Sequence, residues 1–237
     1  MSEAAEKATL LATSWFPNNA TSLPDPPPHV FPLTPTRPWH SVTDEEVLDT
    51  LKRCSSDNAP GISGLTYRVW KWIAIIAPSK LISVVRASLD LGVHHDTWKQ
   101  SLVAVIPKNN KKDMALPKSH RPIQLIECIG KLVEKIAAQR IYFDLGKHDL
   151  MPFNQFGGRS NSSCLDAGLS LTHDIATARN KGLVSTFLAV DIKGFFDHVN
   201  HERLLNVLQH KGFPPTSCLG WDLSSATDLS GCALMTI

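Results

Sequence analysis

The five cysteines include no Cys-x-x-Cys pair: Cys54, Cys128, Cys164, Cys218 and Cys232 stand far apart and are odd in number. That spacing argues against a zinc ribbon or a disulfide framework and predicts a chain of a reducing, intracellular compartment. No apolar run approaches the roughly 20 residues of a membrane-spanning helix. The opening Met1-Ser-Glu-Ala-Ala-Glu-Lys7 is acidic where a secretory leader would be apolar. The expectation is a soluble chain with no membrane partner. Charge of one sign is scarce as well: 24 Lys and Arg against 22 Asp and Glu leave a net charge of +2. Bulk charge therefore makes no case for nucleic-acid binding, which would have to rest on local patches. Gly61-Ile-Ser-Gly64 is too short for a P-loop and lacks its Gly-Lys-[Ser/Thr], and no internal repeat is visible. What is present is apolar: 43% of 237 residues are hydrophobic, enough to bury a substantial core in one domain or two small ones.

Half of the sixteen prolines fall between residues 17 and 38, including Pro26-Pro-Pro28. Such a segment is extended and solvated, a linker in character, with a short helix predicted before it around Ala4–Trp15. Thr43-Asp-Glu-Glu46 has the form of a helix start, with Thr43 as cap and Glu46 completing a capping box. The helix it opens would turn Val47, Leu48 and Leu51 inward. Asp57 to Gly64 reads as a loop from its proline and glycines. Helical patterns follow over 65–76 and 78–91, and Leu102-Val-Ala-Val-Ile106 reads as a strand. Asn109 to Lys118 is polar and lysine-rich, suited to an exposed loop. Ile129, Leu132, Val133, Ile136, Ala137 and Ile141 recur with a helical period, as do Leu165, Leu169, Thr172, Ile175 and Ala176. Asn161-Ser162-Ser163 is placed to cap the second of these helices. A last helix over 201–210 would bury Leu204, Leu205 and Leu208. Helices interrupted by short apolar strands indicate an α+β domain.

Phe187-Leu-Ala-Val190 reads as a buried strand that delivers Asp191, with Asp197 six positions later. A carboxylate at the end of a buried strand is costly unless a charge meets it, and Mg²⁺ is the natural candidate because it takes oxygen ligands from one or two carboxylates plus phosphates. The bland alternative is a carboxylate that caps the next turn. Asp197 reads more readily as a helix cap than as a ligand. His198 and His201 are spaced for a metal on a helix, but no third ligand is near in sequence. Asp191-Ile-Lys193 has the spacing of a nuclease arm, for which Asp166 or Asp174 would have to supply the upstream acid from a helix.

Four segments precede this one in a fixed order: Asn58-Ala-Pro-Gly-Ile-Ser-Gly-Leu65, Ala104-Val-Ile-Pro-Lys108, Ser119-His-Arg-Pro-Ile-Gln-Leu125 and Asn154-Gln-Phe-Gly-Gly-Arg-Ser160. With Val190-Asp-Ile-Lys-Gly-Phe-Phe-Asp197 they resemble the front half of the reverse transcriptase domain of non-LTR (LINE-type) retrotransposons. That family's wording runs roughly APGPDG, IPK, YRPISL, QFGFR, LDIKGAFD. The resemblance covers about residues 40–215. With the Pro-rich linker and short helix taken as 1–40, it implies a partial reverse transcriptase domain over 41–215 and a divergent tail over 216–237. The fold it implies is the fingers and partial palm of a right-handed polymerase, truncated. The PQGSPLSP-like segment and the Ala-Asp-Asp hairpin that come next in the family are absent from these 237 residues, as in a truncated or frame-shifted copy.

By the same resemblance, Asp191 is a catalytic carboxylate that would bridge two Mg²⁺ ions, with the Ile192 carbonyl assisting. Phe196 stands where an aromatic steric gate would lie under the incoming sugar. Arg121 resembles the fingers arginine on the incoming triphosphate, and an arginine suits phosphate because its fork binds two oxygens. Lys108 resembles a second fingers cation. Gln155, Phe156, Gly157 and Arg159 resemble a palm-entry loop on the template or primer backbone, with Gly158 in place of the usual Phe. Lys111 and Lys112 would add backbone contacts. The partners implied are an RNA template and a DNA primer, and the parent reaction is RNA-templated DNA synthesis. With the other carboxylates missing, the chain is expected to be inactive alone; the alternative is a non-catalytic nucleic-acid-binding remnant or a relic without function.

Overall fold

The computed structural model describes residues 3–15, 35–109, 113, 115–191, 199 and 201–214. An N-terminal helix α1 spans Glu3–Trp15 and is followed, after residue 35, by α2 (Asp44–Arg53), α3 (Tyr67–Ile76), α4 (Pro78–Leu91) and a single turn α5 (Asp96–Lys99). Strand β1 (Ser101–Pro107) then pairs antiparallel with β2 (His120–Ile126), and α6 (Cys128–Lys147), α7 (Cys164–Asn180) and α8 (His201–His210) complete the order. Helix and strand are mixed, as expected for an α+β chain, and among the described residues the sheet has two strands.

Local chemistry accounts for most boundaries. Thr43 Oγ1 accepts the Glu46 amide at 3.2 Å and so caps α2. The reciprocal half of the expected capping box does not form. The Glu46 carboxylate turns instead to Arg140 of α6, with both oxygens 2.6 Å from guanidinium nitrogens. A bidentate, partly buried pair outcompetes a single bond to an exposed amide. Pro78 at the first turn of α4 ends α3 and starts the next helix, since its ring cannot continue a helix but fits its first turn. Gly92 closes α4 in the left-handed region at φ 66°. Ser163 and Asp166 form a reciprocal capping box on α7.

The core lies where α2, α3, α4 and α6 meet. Val47, Leu51, Val85, Leu132, Ile136 and Cys128 are fully enclosed, with Val42, Tyr67, Leu81, Ile82, Leu89, Ile129, Val133 and Ala137 around them. Each α6 position picked out by its period is buried. A second, smaller cluster joins Ile141 to Phe213, with Leu205 and Leu208 of α8 packed half-buried against it.

Two further expectations fail. Phe187–Val190 is not a buried strand: these residues are in no strand, and Phe187, Leu188 and Val190 are 65–81% exposed. A strand is stabilised by a neighbour that completes its ladder, and no described strand pairs with this one. Helix α7 forms where expected, but none of its residues is buried, and Leu165, Leu169 and Ile175 are exposed. Its apolar face has no described element against it. No single helix among the described residues is long and apolar enough to cross a membrane.

Candidate functional site

The β1–β2 hairpin brings together two residues that are far apart in the motifs. Ile106 pairs with Arg121 and Pro107 with His120, and the Lys108 amide donates to the Ser119 carbonyl at 2.8 Å. Lys108 and Arg121 therefore lie within a few residues of each other at one end of the ladder. Arg121 is exposed. Lys108 is half-buried, its Nζ donating to the Lys118 carbonyl at 2.9 Å. Pro122 sits inside β2, opposite Val105, where a two-stranded ladder leaves each strand an open edge that tolerates a missing N–H.

A buried anchor fixes the 58–64 loop to the start of α6. Glu127, only 6% exposed, accepts the Ser63 amide at 2.8 Å and the Ser63 hydroxyl at 2.5 Å. Gly61 is held so close that a Cβ there would stand 2.7 Å from the Glu127 nitrogen and Oε1, which explains a glycine at this point of the motif. Lys131 of α6 donates to the Ala59 carbonyl at 3.4 Å, and Lys71 of α3 to the Cys54 carbonyl at 2.6 Å. Glu127 and Ser63 were missed by sequence reasoning; a lone Glu at a strand–helix junction carries no signal that it will be buried.

The 154–160 loop is held by local bonds and by one tie to α6, the Ser160 amide donating to the Tyr142 hydroxyl. Arg159 donates to the carbonyls of Pro152 and Phe153 at 3.2 and 3.3 Å, and Gln155 Nε2 to the Gly157 carbonyl at 3.2 Å. Phe156 is half-buried and Gly157 exposed. Gly158 has φ 68°, a conformation in which a Phe would be strained. The departure from the family wording thus goes with a left-handed backbone. Gln155 and Arg159 face their own loop.

Asp191 is exposed and outside any strand. Ile192, Phe196, Asp197, Lys111 and Lys112 lie outside the described residues. Among the described residues no group of three His, Cys, Asp or Glu is arranged to hold a metal ion. Of the two aspartates in the 190–197 segment Asp191 is described and Asp197 is not, so the described residues offer one exposed carboxylate toward the Mg²⁺ pair implied by the resemblance. No described contact joins Asp191 to Lys108 or Arg121.

Comparison with known proteins agrees with the order of the motifs. The family model described as "Reverse transcriptase (RNA-dependent DNA polymerase)" matches residues 106–233, more than half of the chain. The Drosophila melanogaster protein named "Probable RNA-directed DNA polymerase from transposon BS" is 27% identical over 183 residues, 77% of this chain and 20% of that protein. "Probable RNA-directed DNA polymerase from transposon X-element", also from Drosophila melanogaster, is 28% identical over 72% of this chain and 18% of its own length. "RNA-directed DNA polymerase from mobile element jockey" of Drosophila melanogaster is 26% identical over 78% of this chain and 20% of its own length. The chain thus spans about a fifth of these relatives. With its motifs in order from the 58–64 loop to Asp191 and the family match running on to residue 233, the chain belongs to the reverse transcriptase (RNA-dependent DNA polymerase) family.

Proposed function

We propose that this chain derives from the RNA-directed DNA polymerase of a non-LTR retrotransposon and carries the fingers and the early palm of its right-handed fold. In the complete parent, a primer 3′-hydroxyl attacks the α-phosphate of a deoxynucleotide on an RNA template, and pyrophosphate leaves. Such chemistry depends on positioning and on charge neutralisation more than on covalent help. The observation that carries the reading is the convergence of Lys108 and Arg121 at one end of the β1–β2 ladder. Two cations at one end of a ladder suit the oxygens of one triphosphate, Arg121 through its fork and Lys108 as a point charge.

Asp191 is the one catalytic carboxylate this reading retains, with Ile192 and Phe196 as its nucleotide-side neighbours. Gln155, Phe156, Gly157 and Arg159, with Lys111 and Lys112, form the nucleic-acid side. The 237 residues hold no Ala-Asp-Asp segment, and this reading expects them to be inactive alone. The test is extension of a DNA primer on an RNA template in Mg²⁺, with Asp191→Asn beside the unmodified chain. No Asp191-dependent product is expected; a product that disappears in Asp191→Asn would overturn the claim of inactivity.

A non-catalytic nucleic-acid-binding role is the second reading, and the exposure of Arg121 favours it. It requires RNA binding that weakens with salt. An unchanged salt slope in Lys111→Glu plus Lys112→Glu would remove those two lysines from the surface.

A further inference from the structure

A cleft of about 520 Å³ lies between the segment around Arg37–Trp39, the C-terminal half of α6 and Phe213. Its walls alternate rings and cations. The Arg37 guanidinium lies 4.3 Å from the Phe213 ring centroid, and the Arg140 guanidinium 4.7 Å from that of Trp39. These four are committed to each other and to the fold. Arg37 donates to the Lys211 carbonyl at 2.7 Å and faces Asp144 at 3.4 Å, while Arg140 is paired with Glu46. The third pair is open: Phe143 is 65% exposed, and Lys147, one turn further along α6, has its Nζ 5.8 Å from the ring centroid. An aromatic ring exposed at the mouth of a cleft keeps a face free to stack on a ligand.

We infer that this cleft takes a base of single-stranded nucleic acid, stacked on Phe143, with Lys147 on the adjoining phosphate. The volume falls within the range of small-ligand sites. The chemistry is that of sequence-tolerant single-strand binding, in which an aromatic face holds the base and a mobile cation the backbone. Charge complementarity points the same way but weakly: Arg37, Arg140 and Lys147 stand against Glu46 and Asp144, an excess of one cation. Stacking, more than counterion release, would supply the affinity, so binding here depends only slightly on salt. The inference rests on the nucleic-acid lineage proposed above but on different residues, none of them in the five motifs.

The experiment is fluorescence anisotropy of a short fluorescein-labelled oligouridylate titrated with the full 237-residue chain. Phe143→Ala should weaken binding roughly 5- to 150-fold, the worth of one stacked base. Lys147→Ala should weaken it less. Phe153→Ala, which removes a ring 89% exposed outside the cleft, should leave it unchanged. Phe143 is exposed, so its loss should not unfold the chain; circular dichroism of each variant checks this. Equal affinity in Phe143→Ala, equal losses in Phe143→Ala and Phe153→Ala, or no binding by the unmodified chain would each overturn the inference. Arg121→Ala separates the two proposals: a loss there with Phe143→Ala silent leaves the hairpin reading intact and sinks the cleft.

Discussion

Gly61 shows how one residue type can be forced by a distance. The Glu127 backbone nitrogen would lie 2.7 Å from a Cβ at this position, and backbone cannot swing aside as a flexible side chain can. Gly61→Ala should therefore lower the urea midpoint by the equivalent of about 1–3 kcal/mol, and an unchanged midpoint would mean that the loop does not rest on Glu127. A second residue-scale effect comes from His94 and Glu134, whose Nε2 and Oε1 lie 3.7 Å apart with side chains only 9% and 13% exposed. Burial drives both towards neutrality. Glu134 rises from 4.5 to about 8, partly offset by Lys131, and His94 falls from 6.5 to about 4, with Lys99 and His95 adding to the effect. The contact is thus a neutral one at pH 7. Between pH 4.5 and 6.5 folded and unfolded chains bind equal numbers of protons on this pair, and stability is flat. From 6.5 to about 8 only the folded chain keeps a proton, on Glu134, so stability falls with rising pH, by about 2 kcal/mol. Glu134→Gln should abolish that fall in urea melts between pH 6.5 and 8; a fall of the same size in the variant would assign it to another group.

At the scale of elements, α6 and α7 make a matched pair. Both carry apolar residues at helical spacing, yet α6 buries Leu132 and Ile136 completely and α7 buries nothing. Ile136→Ala should cost about 2–5 kcal/mol, since it leaves a cavity among α2, α4 and α6. Leu169→Ala, at a residue 70% exposed, should change stability by less than about 0.5 kcal/mol. Comparable losses in the two would mean that α7 is covered in solution. The contrast also marks what the sequence could convey. Spacing identifies which face of a helix is apolar, and Thr43, Ser163 and Pro78 identify where helices begin. Whether a face finds a partner is decided elsewhere in the chain, which is why Phe187–Val190 reads as a buried strand and is exposed. Strand β2 was legible only as a motif, because Pro122 argues against a strand interior. Without β2, the approach of Lys108 to Arg121 cannot be foreseen. Likewise Glu46 was assigned to its own helix because Arg140 is 94 residues away.

For the whole molecule, the consequence is an uneven surface. Beside the buried core of α2, α3, α4 and α6, the described surface carries exposed Leu165 and Leu169 of α7 and exposed Leu183, Val184, Phe187, Leu188 and Val190. Exposed apolar side chains in this number promote association, and an apolar segment outside any ladder also offers a template for strand pairing. The net charge of +2 supplies little repulsion to oppose it. The chain should therefore sediment as concentration-dependent oligomers. Leu188→Lys plus Val190→Lys should shift it towards monomer, because charges on an edge blunt both hydrophobic contact and strand addition. The same substitutions should leave the urea midpoint nearly unchanged, as both side chains are about 80% exposed. Sedimentation velocity over a concentration series decides the matter. If the double variant associates as strongly as the parent chain, the 183–190 segment is not the adhesive surface, and the exposed face of α7 becomes the one to charge next.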